Sequence, residues 1–241
     1  MENNYKSISK IRYSEVDKNY EMRFDAILDA FQNLTTFHSY EMKIDKESLK
    51  SSSNGFFVIT RMKFSFDSPL ILGEDAEFIT YPEKVTTLRF YRGFEINGEN
   101  GKRVKGYSEW CVLDCDTLMP RKSDTVAYPH DLPVFKYFED PSFIRFNEIT
   151  SEKDEVYRYA VKSTDIDGNG HTNNAAYSRM AVNAFSPDEF GAENFRGFEI
   201  DFISQTYYDD EIAVYKKKTN AGVYVEGKLN DKPVFKSLFK K

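Results

Sequence analysis

Apolar residues return at helical spacing in two widely separated stretches of the chain. In the first, Phe24, Ile27, Leu28, Phe31 and Leu34 form one apolar stripe. In the second, Ala176, Tyr177, Met180, Ala181 and Ala184 do the same, with Pro187 just past the expected end. After each stripe the period changes to two. Met62-Lys-Phe64-Ser-Phe66 and Phe198-Glu-Ile200-Asp-Phe202 alternate as half-buried strands do. The runs from Pro69 to Phe78 and from Gln205 to Val214 follow, and each then gives way to two strands about a tight turn. In the first half these are Leu88 to Ile96 and Arg103 to Leu113, turning at Asn97-Gly98 and a few more residues. In the second they are Val223 to Leu229 and Val234 to Phe239, turning at Asn230-Asp231-Lys232.

Each helical stripe is led by the same polar phrase, Asp17-Lys-Asn19-Tyr-Glu21 in one case and Asp167-Gly-Asn169-Gly-His171 in the other. Four features in the same order describe one unit occurring twice: a helix followed by a run of antiparallel strands. A lone amphipathic helix laid on a curved antiparallel sheet buries one apolar face of each, so the predicted class is α+β. The segment Glu155 to Lys162 alternates like a strand. Ser48 to Asn54 reads as a surface loop without a counterpart in the second half, and Ser123 to Pro141, with Pro129 and Pro133, reads as a connector. The predicted division is a first domain over 1–127, a connector over 128–150 and a second domain over 151–241. Those lengths suit the usual domain range for a chain of 241 residues.

Composition supports the sheet: 21 Phe and 16 Tyr stand against a single Trp. A net charge of −6 and a pI of about 5.3 leave no basic footprint for nucleic acid. The opening MENNYKSISK has no basic flank or apolar run to suggest a secretory leader, and no stretch approaches the roughly 18 apolar residues of a membrane span. A cytoplasmic protein is expected. Cys111 and Cys115, the two cysteines, lack nearby His and make neither a disulfide framework nor a zinc site; both are expected reduced and partly buried. No metal and no cofactor are expected.

Asp165-Ile-Asp167-Gly168-Asn169-Gly170-His171-Thr172-Asn173-Asn174 is the densest polar stretch. As a calcium loop it would offer Asp165, Asp167 and Asn169 as ligands. Its closing position, however, holds Ala176 instead of Glu, and a strand pattern precedes it instead of a helix. As an active site it would use its glycines to let the backbone approach a ligand, and the unpaired N–H groups of the helix starting near Asn173 to stabilise a carbonyl oxygen that turns negative. His171 offers an imidazole able to take up or give a proton, Asn169 both donates and accepts, and Asp167 accepts. The same residues also crowd ordinary strand-to-helix turns, because Asp, Asn and Gly cap helices and tolerate left-handed conformations.

With loop and repeat together, the chain resembles the acyl-acyl-carrier-protein thioesterases of plants and bacteria. In the first half the resemblance lies in Glu15-Val16-Asp17 to Gln32, Thr60-Arg61, Pro69-Leu70, Tyr81-Pro82, Arg92-Gly-Phe94-Glu-Ile96, and Ser108 to Asp114 with Thr117 and Pro120-Arg121. In the second, Asp165-Ile-Asp167-x-Asn169-x-His171-x-Asn173-Asn174-x-x-Tyr177 matches the family's most specific motif. The resemblance implies two hotdog domains in tandem, each a long helix wrapped by antiparallel sheet, and an enzyme that releases free fatty acid from acyl-acyl carrier protein in fatty acid biosynthesis. It carries the catalytic roles over to Asp167, Asn169 and His171. It also implies a further polar residue on the following strand, often Glu with an adjacent Cys in plant members. Here those positions are Gln205 and Thr206, and an amide is neither nucleophile nor general base while Thr206 is no thiolate. Gln205 is retained as a candidate to hold water or the substrate carbonyl, with Asn173, Asn174 and Thr206 as candidate substrate contacts.

The first half, with Glu21 in place of His171, is expected to serve the acyl chain and scaffold, leaving Asp17 and Asn19 as turn residues. Either His171 activates water or Asp167 attacks directly. The expected partner is acyl carrier protein bearing its acyl-phosphopantetheine. It is acidic while this chain is itself negative, so Lys216-Lys217-Lys218 or Lys236, Lys240 and Lys241 are candidate basic contacts, against ordinary edge-strand protection. An acyl-coenzyme-A hydrolase and a non-catalytic acyl-thioester-binding protein are the alternatives, and monomer and homodimer both fit.

Overall fold

A computed structural model describes residues 4–83, 85–99, 101–128 and 142–241. The first stripe becomes helix α1 (Phe24–Glu41), which buries Phe24, Ile27, Leu28, Phe31 and Leu34 and then continues two turns further through buried Thr35 and His38. Polar residues at the core-facing positions hid that extension. The second becomes α3 (Asn174–Val182), with Asn173 as its cap accepting from the Ala175 amide.

Two short helices were not expected. α2 (Lys46–Ser53) occupies the stretch read as a loop. Asp45 caps it through the amides of Glu47 and Ser48, buried Leu49 anchors it, and Asn54 ends it in the left-handed region. Serines are indifferent helix formers, so the two ends and one leucine decide the matter. Nor is it unmatched: α4 (Pro187–Glu193) follows α3 in the same way, capped by Ser186, with Pro187 at its first position and Asn194 left-handed at its end.

The strands are β1 (Tyr5–Lys10), β2 (Gly55–Phe66), β3 (Asp75–Pro82), β4 (Phe90–Gly98), β5 (Gly101–Asp114), β6 (Glu155–Ala160), β7 (Gly197–Phe202), β8 (Glu211–Thr219), β9 (Gly222–Leu229) and β10 (Lys232–Lys240). β1 is largely exposed and carries little apolar alternation, so it left no clear pattern in the sequence. The β9–β10 turn is tighter than expected, with only Asn230 and Asp231 at positive φ and Lys232 already in the strand.

Among the described residues these ten strands form one antiparallel sheet in the order β1-β3-β4-β5-β2-β7-β10-β9-β8-β6. Read outward from the β2–β7 pair, both sides follow the same sequence of elements, which is the expected repeat. The seam runs from Arg61 opposite Asp201 to Ser65 opposite Gly197. It brings α1 and α3 into contact on one face of the sheet. The chain is thus a double α+β hotdog. Among the described residues no helix is long and apolar enough to cross a membrane.

On the helix side, the Phe31 ring stacks on Phe94 of β4 with centroids 4.4 Å apart. It can do so because β5 has Gly106 beneath it, where a Cβ would lie 2.1 Å from the ring. On the opposite face, residues 142–150 cross the seam as an extended strap. Lys63 Nζ donates to the Ser142 carbonyl at 2.7 Å, and the Ile144 amide donates to Glu199 Oε1 at 2.6 Å. Phe146 packs on Tyr224 and Leu238. This is the end of the expected connector; Pro129, Pro133 and Pro141 lie outside the described residues.

Gly106→Ala must push the Phe31 ring off the sheet or tilt α1. It is expected to cost about 1–3 kcal/mol, the usual range for overpacking a filled core, read as a lower midpoint in urea at unchanged slope.

Candidate active site

The turn that enters α3 is built by short-range bonds. Asp167 N donates to the His171 carbonyl at 2.9 Å and Gly170 N to the Asp167 carbonyl at 3.0 Å, with Gly170 at φ +84°. Asp167 Oδ1 accepts the Asn169 amide at 2.8 Å, and Oδ2 accepts Asn169 Nδ2 at 3.2 Å. The turn therefore fans Asp167, Asn169 and His171 to one side. His171 Nδ1 lies 3.9 Å from Asp167 Oδ1, within electrostatic reach but beyond a hydrogen bond. The edge of the Tyr207 ring approaches the imidazole, with centroids 6.1 Å apart.

The first half builds the same turn 150 positions earlier. Asp17 accepts the amides of Asn19 and Glu21, and Asp17 N donates to the Glu21 carbonyl at 2.8 Å. Tyr20 takes the positive φ that falls to Gly170 in the second half. The geometry is thus generic to the fold; the imidazole is not.

Beneath the two turns the chemistry diverges. In the first half Met22, Ile27 and Leu70 are buried, and the Met22 amide donates to the Leu70 carbonyl. In the second, Thr172, Tyr177 and Thr206 hold those positions. Thr172 Oγ1 and Tyr177 Oη lie 2.7 and 2.9 Å from Thr206 Oγ1, and the Thr206 amide donates to the Tyr177 oxygen at 3.0 Å. Thr206, expected to touch substrate, is wholly buried and lies under the turn as a support. Gln205 sits in the loop after β7, not on a strand, and its side chain is exposed beside the turn. Asp165 is another buried support, accepting from Tyr159 Oη, the Lys162 amide and Arg179.

The start of α3 offers fewer free amides than expected. Ala175 N is taken by the Asn173 side chain and Ala176 N by the Asn173 carbonyl, which leaves Asn174 N without a partner among the described residues. Asn173 thus spends its side-chain oxygen on the cap, whereas Asn174 faces open space.

That space is a cavity of about 610 Å³, lined by Asp167, Asn169, His171, Asn174 and Gln205 on one side and by first-half residues on the other. The latter come from the C-terminal half of α1, from α2, and from β2, β4 and β5, and include Thr35, Phe57, Phe90 and Trp110. In the second half the corresponding space between α4 and strands β7 and β10 is filled by the mutually packed rings of Phe185, Phe190, Phe195, Phe198 and Phe239. One half is hollow and the other is plugged.

Lys46 of α2 reaches across the halves, and its Nζ donates to Asn169 Oδ1 at 2.6 Å. This contact, from a helix read as a loop, had no signal in the sequence. The lysines proposed for a basic patch are otherwise engaged: Lys216 pairs with Glu189, Lys218 and Lys241 with Glu193, Lys240 with Glu199, and Lys217 bonds the Ile149 carbonyl. None of them, nor Lys236, lines the cavity, whose lysines are Lys46 and Lys50. Cys111 is buried, which raises its thiol pKa, and Cys115 is part-exposed at the cavity wall; neither is in a disulfide.

Tyr177→Phe removes the oxygen that receives the buried Thr206 amide. An unsatisfied buried donor costs about 1–3 kcal/mol, so a loss of that size is expected in chemical denaturation, together with reduced turnover as the turn loosens.

Two family models match the chain: the acyl-ACP thioesterase N-terminal domain over residues 2–126 and the acyl-ACP thioesterase C-terminal domain over residues 148–232. No curated protein matches by sequence. Among solved structures, an acyl-ACP thioesterase from Bacteroides thetaiotaomicron superposes with a TM-score of 0.84 at 22% identity, covering 99% of this chain and 97% of its own. A 12:0-ACP thioesterase from Umbellularia californica superposes with a TM-score of 0.82 at 13% identity, covering 100% and 97%. At such identities the superpositions speak to the fold.

Proposed function

This chain belongs to the acyl-ACP thioesterase family and is a thioester hydrolase acting on acyl-acyl carrier protein, and we propose that Asp167, Asn169 and His171 carry out its reaction. The observation that supports this reading is their convergence on one turn facing a cavity whose far wall belongs to the other half. Residues 1–127 then supply the acyl-chain chamber, 151–241 the reacting groups, and 128–150 the connector. The reaction needs no cofactor in this reading, a cytoplasmic location goes with it, and a monomer or homodimer would serve.

The acyl chain lies in the chamber and the thioester carbonyl beside Asn174 N. With Nδ1 turned toward Asp167, the imidazole carries its proton there and presents Nε2 to a water held near Gln205. The water oxygen bonds to the carbonyl carbon while its proton passes to His171. The oxyanion is met by the Asn174 N–H, and preorganised donors of this kind contribute most where charge develops. The C–S bond then breaks, and His171 returns the proton to the departing thiolate. Free fatty acid and carrier-protein thiol result. Both Asp167 oxygens already accept from Asn169, which favours water over Asp167 as the attacking group.

Three measurements test this. His171→Ala is expected to lower kcat by about 10²–10⁴-fold in a thiol-release assay on acyl-acyl carrier protein, and a fall of a few-fold would remove His171 from its role. Single turnover in H₂¹⁸O should leave Asp167 unlabelled; label in that carboxylate would establish direct attack. Lys46→Met removes a solvent-exposed hydrogen bond to Asn169 contributing about 0.5–1.5 kcal/mol, so kcat should fall about 2- to 10-fold with the fold intact.

A further inference from the structure

The wall of the chamber on β4 is not purely hydrocarbon. It crosses from the loop after β7 past β2 and β5 to β4, three strand spacings or about 14 Å. At β4 its wall includes Arg92, only 5% exposed. Arg92 Nη1 lies 2.8 Å from His38 Nδ1 and donates to Thr80 Oγ1 at 3.2 Å, while Nη2 reaches only the Met42 sulfur at 4.0 Å. A thioether is a weak acceptor, so three of the five guanidinium donors lack an oxygen or nitrogen partner among the described residues. His38 supplies no negative charge; burial, aided by Arg92, lowers its pKa to about 3, so the ring is neutral and Nδ1 accepts. No described carboxylate pairs with Arg92, although a buried charge is costly unless paired.

An acyl chain long enough to reach β4 meets this guanidinium beside the apolar wall of Ile44, Phe90 and Tyr128. We propose that the chamber takes acyl chains whose far end carries a carboxylate, and that Arg92 receives it in the bidentate geometry that guanidinium and carboxylate share. His38 and Thr80 hold the guanidinium from its other edge, as positioning residues. This inference rests on the thioesterase reading and adds to it the chemical class of the acyl group.

The test compares acyl carrier proteins loaded with ω-carboxyacyl and ω-methylacyl chains of equal length, against wild type, Arg92→Lys and Arg92→Met. The expected result is an ω-carboxyl to ω-methyl ratio of kcat/KM that falls at least tenfold in Arg92→Met, carried mainly by KM, with partial retention in Arg92→Lys. An unchanged ratio in a folded Arg92→Met protein would overturn the inference while leaving the hydrolase reading intact. Turnover of neither substrate by the wild type would instead remove the hydrolase reading. In that event, or if Arg92→Met does not fold, the fluorescence of Trp110, the single tryptophan and part of the chamber wall, decides. Wild-type protein titrated with the monomethyl ester of a dicarboxylic acid and the methyl ester of a monocarboxylic acid of equal length should bind the ester that keeps a free carboxylate at least tenfold more tightly. Equal or weaker binding would overturn the proposal.

Discussion

The pairing of β2 with β7 is the contact on which the rest of the molecule depends. It joins two five-stranded sheets at equivalent edges, so neither edge is left to seek another chain. It also sets α1 against α3 and turns each half's polar loop toward the other half's second helix. Lys46 of α2 meets Asn169, and Lys18 of the first loop meets Asp188 of α4. The site therefore belongs to neither half. The turn of Asp167, Asn169 and His171 comes from one and the facing wall of the cavity from the other, and loss of the seam would separate them.

On this symmetric frame the halves have diverged in complementary ways. The first keeps an apolar floor under its loop and an open chamber. The second carries a buried hydroxyl cluster under its loop and fills the equivalent chamber with phenylalanine rings. Buried hydroxyls are costly unless every donor finds an acceptor; Thr172, Tyr177 and Thr206 meet that condition through one another and through the Thr206 and Ser204 carbonyls. Such a cluster gives the turn above it a defined position that interchangeable apolar contacts would not. Close packing is concentrated under the His171 turn, and hollowness lies in the half that faces it.

Electrostatics follow the same division. The lysines that looked like a docking surface are bound within the second half by Glu189, Glu193 and Glu199, where they stabilise α4 and the sheet. The cations left facing the cavity belong to the first half: Lys46 and Lys50, with Arg92 buried on β4. A net charge of −6 conceals this distribution, because the sum does not record which charges are already paired.

What the sequence determined by itself is what depends on neighbours along the chain. Helical and alternating periodicities located α1, α3 and most strands, since burial of one face imposes a period on any element. The Asp-x-Asn turn was legible because its bonds close within five residues, and the duplication because both copies obey the same local rules. Only the tertiary structure decided the rest. It extended α1 through Thr35 and His38, made helices of 46–53 and 187–193, withdrew Thr206 into the core and brought Lys46 to Asn169, 123 residues away. Each of these turns on which surfaces meet across the seam. A polar residue at a core-facing position has no periodic signature, and its partner, distant in sequence, is chosen by the fold.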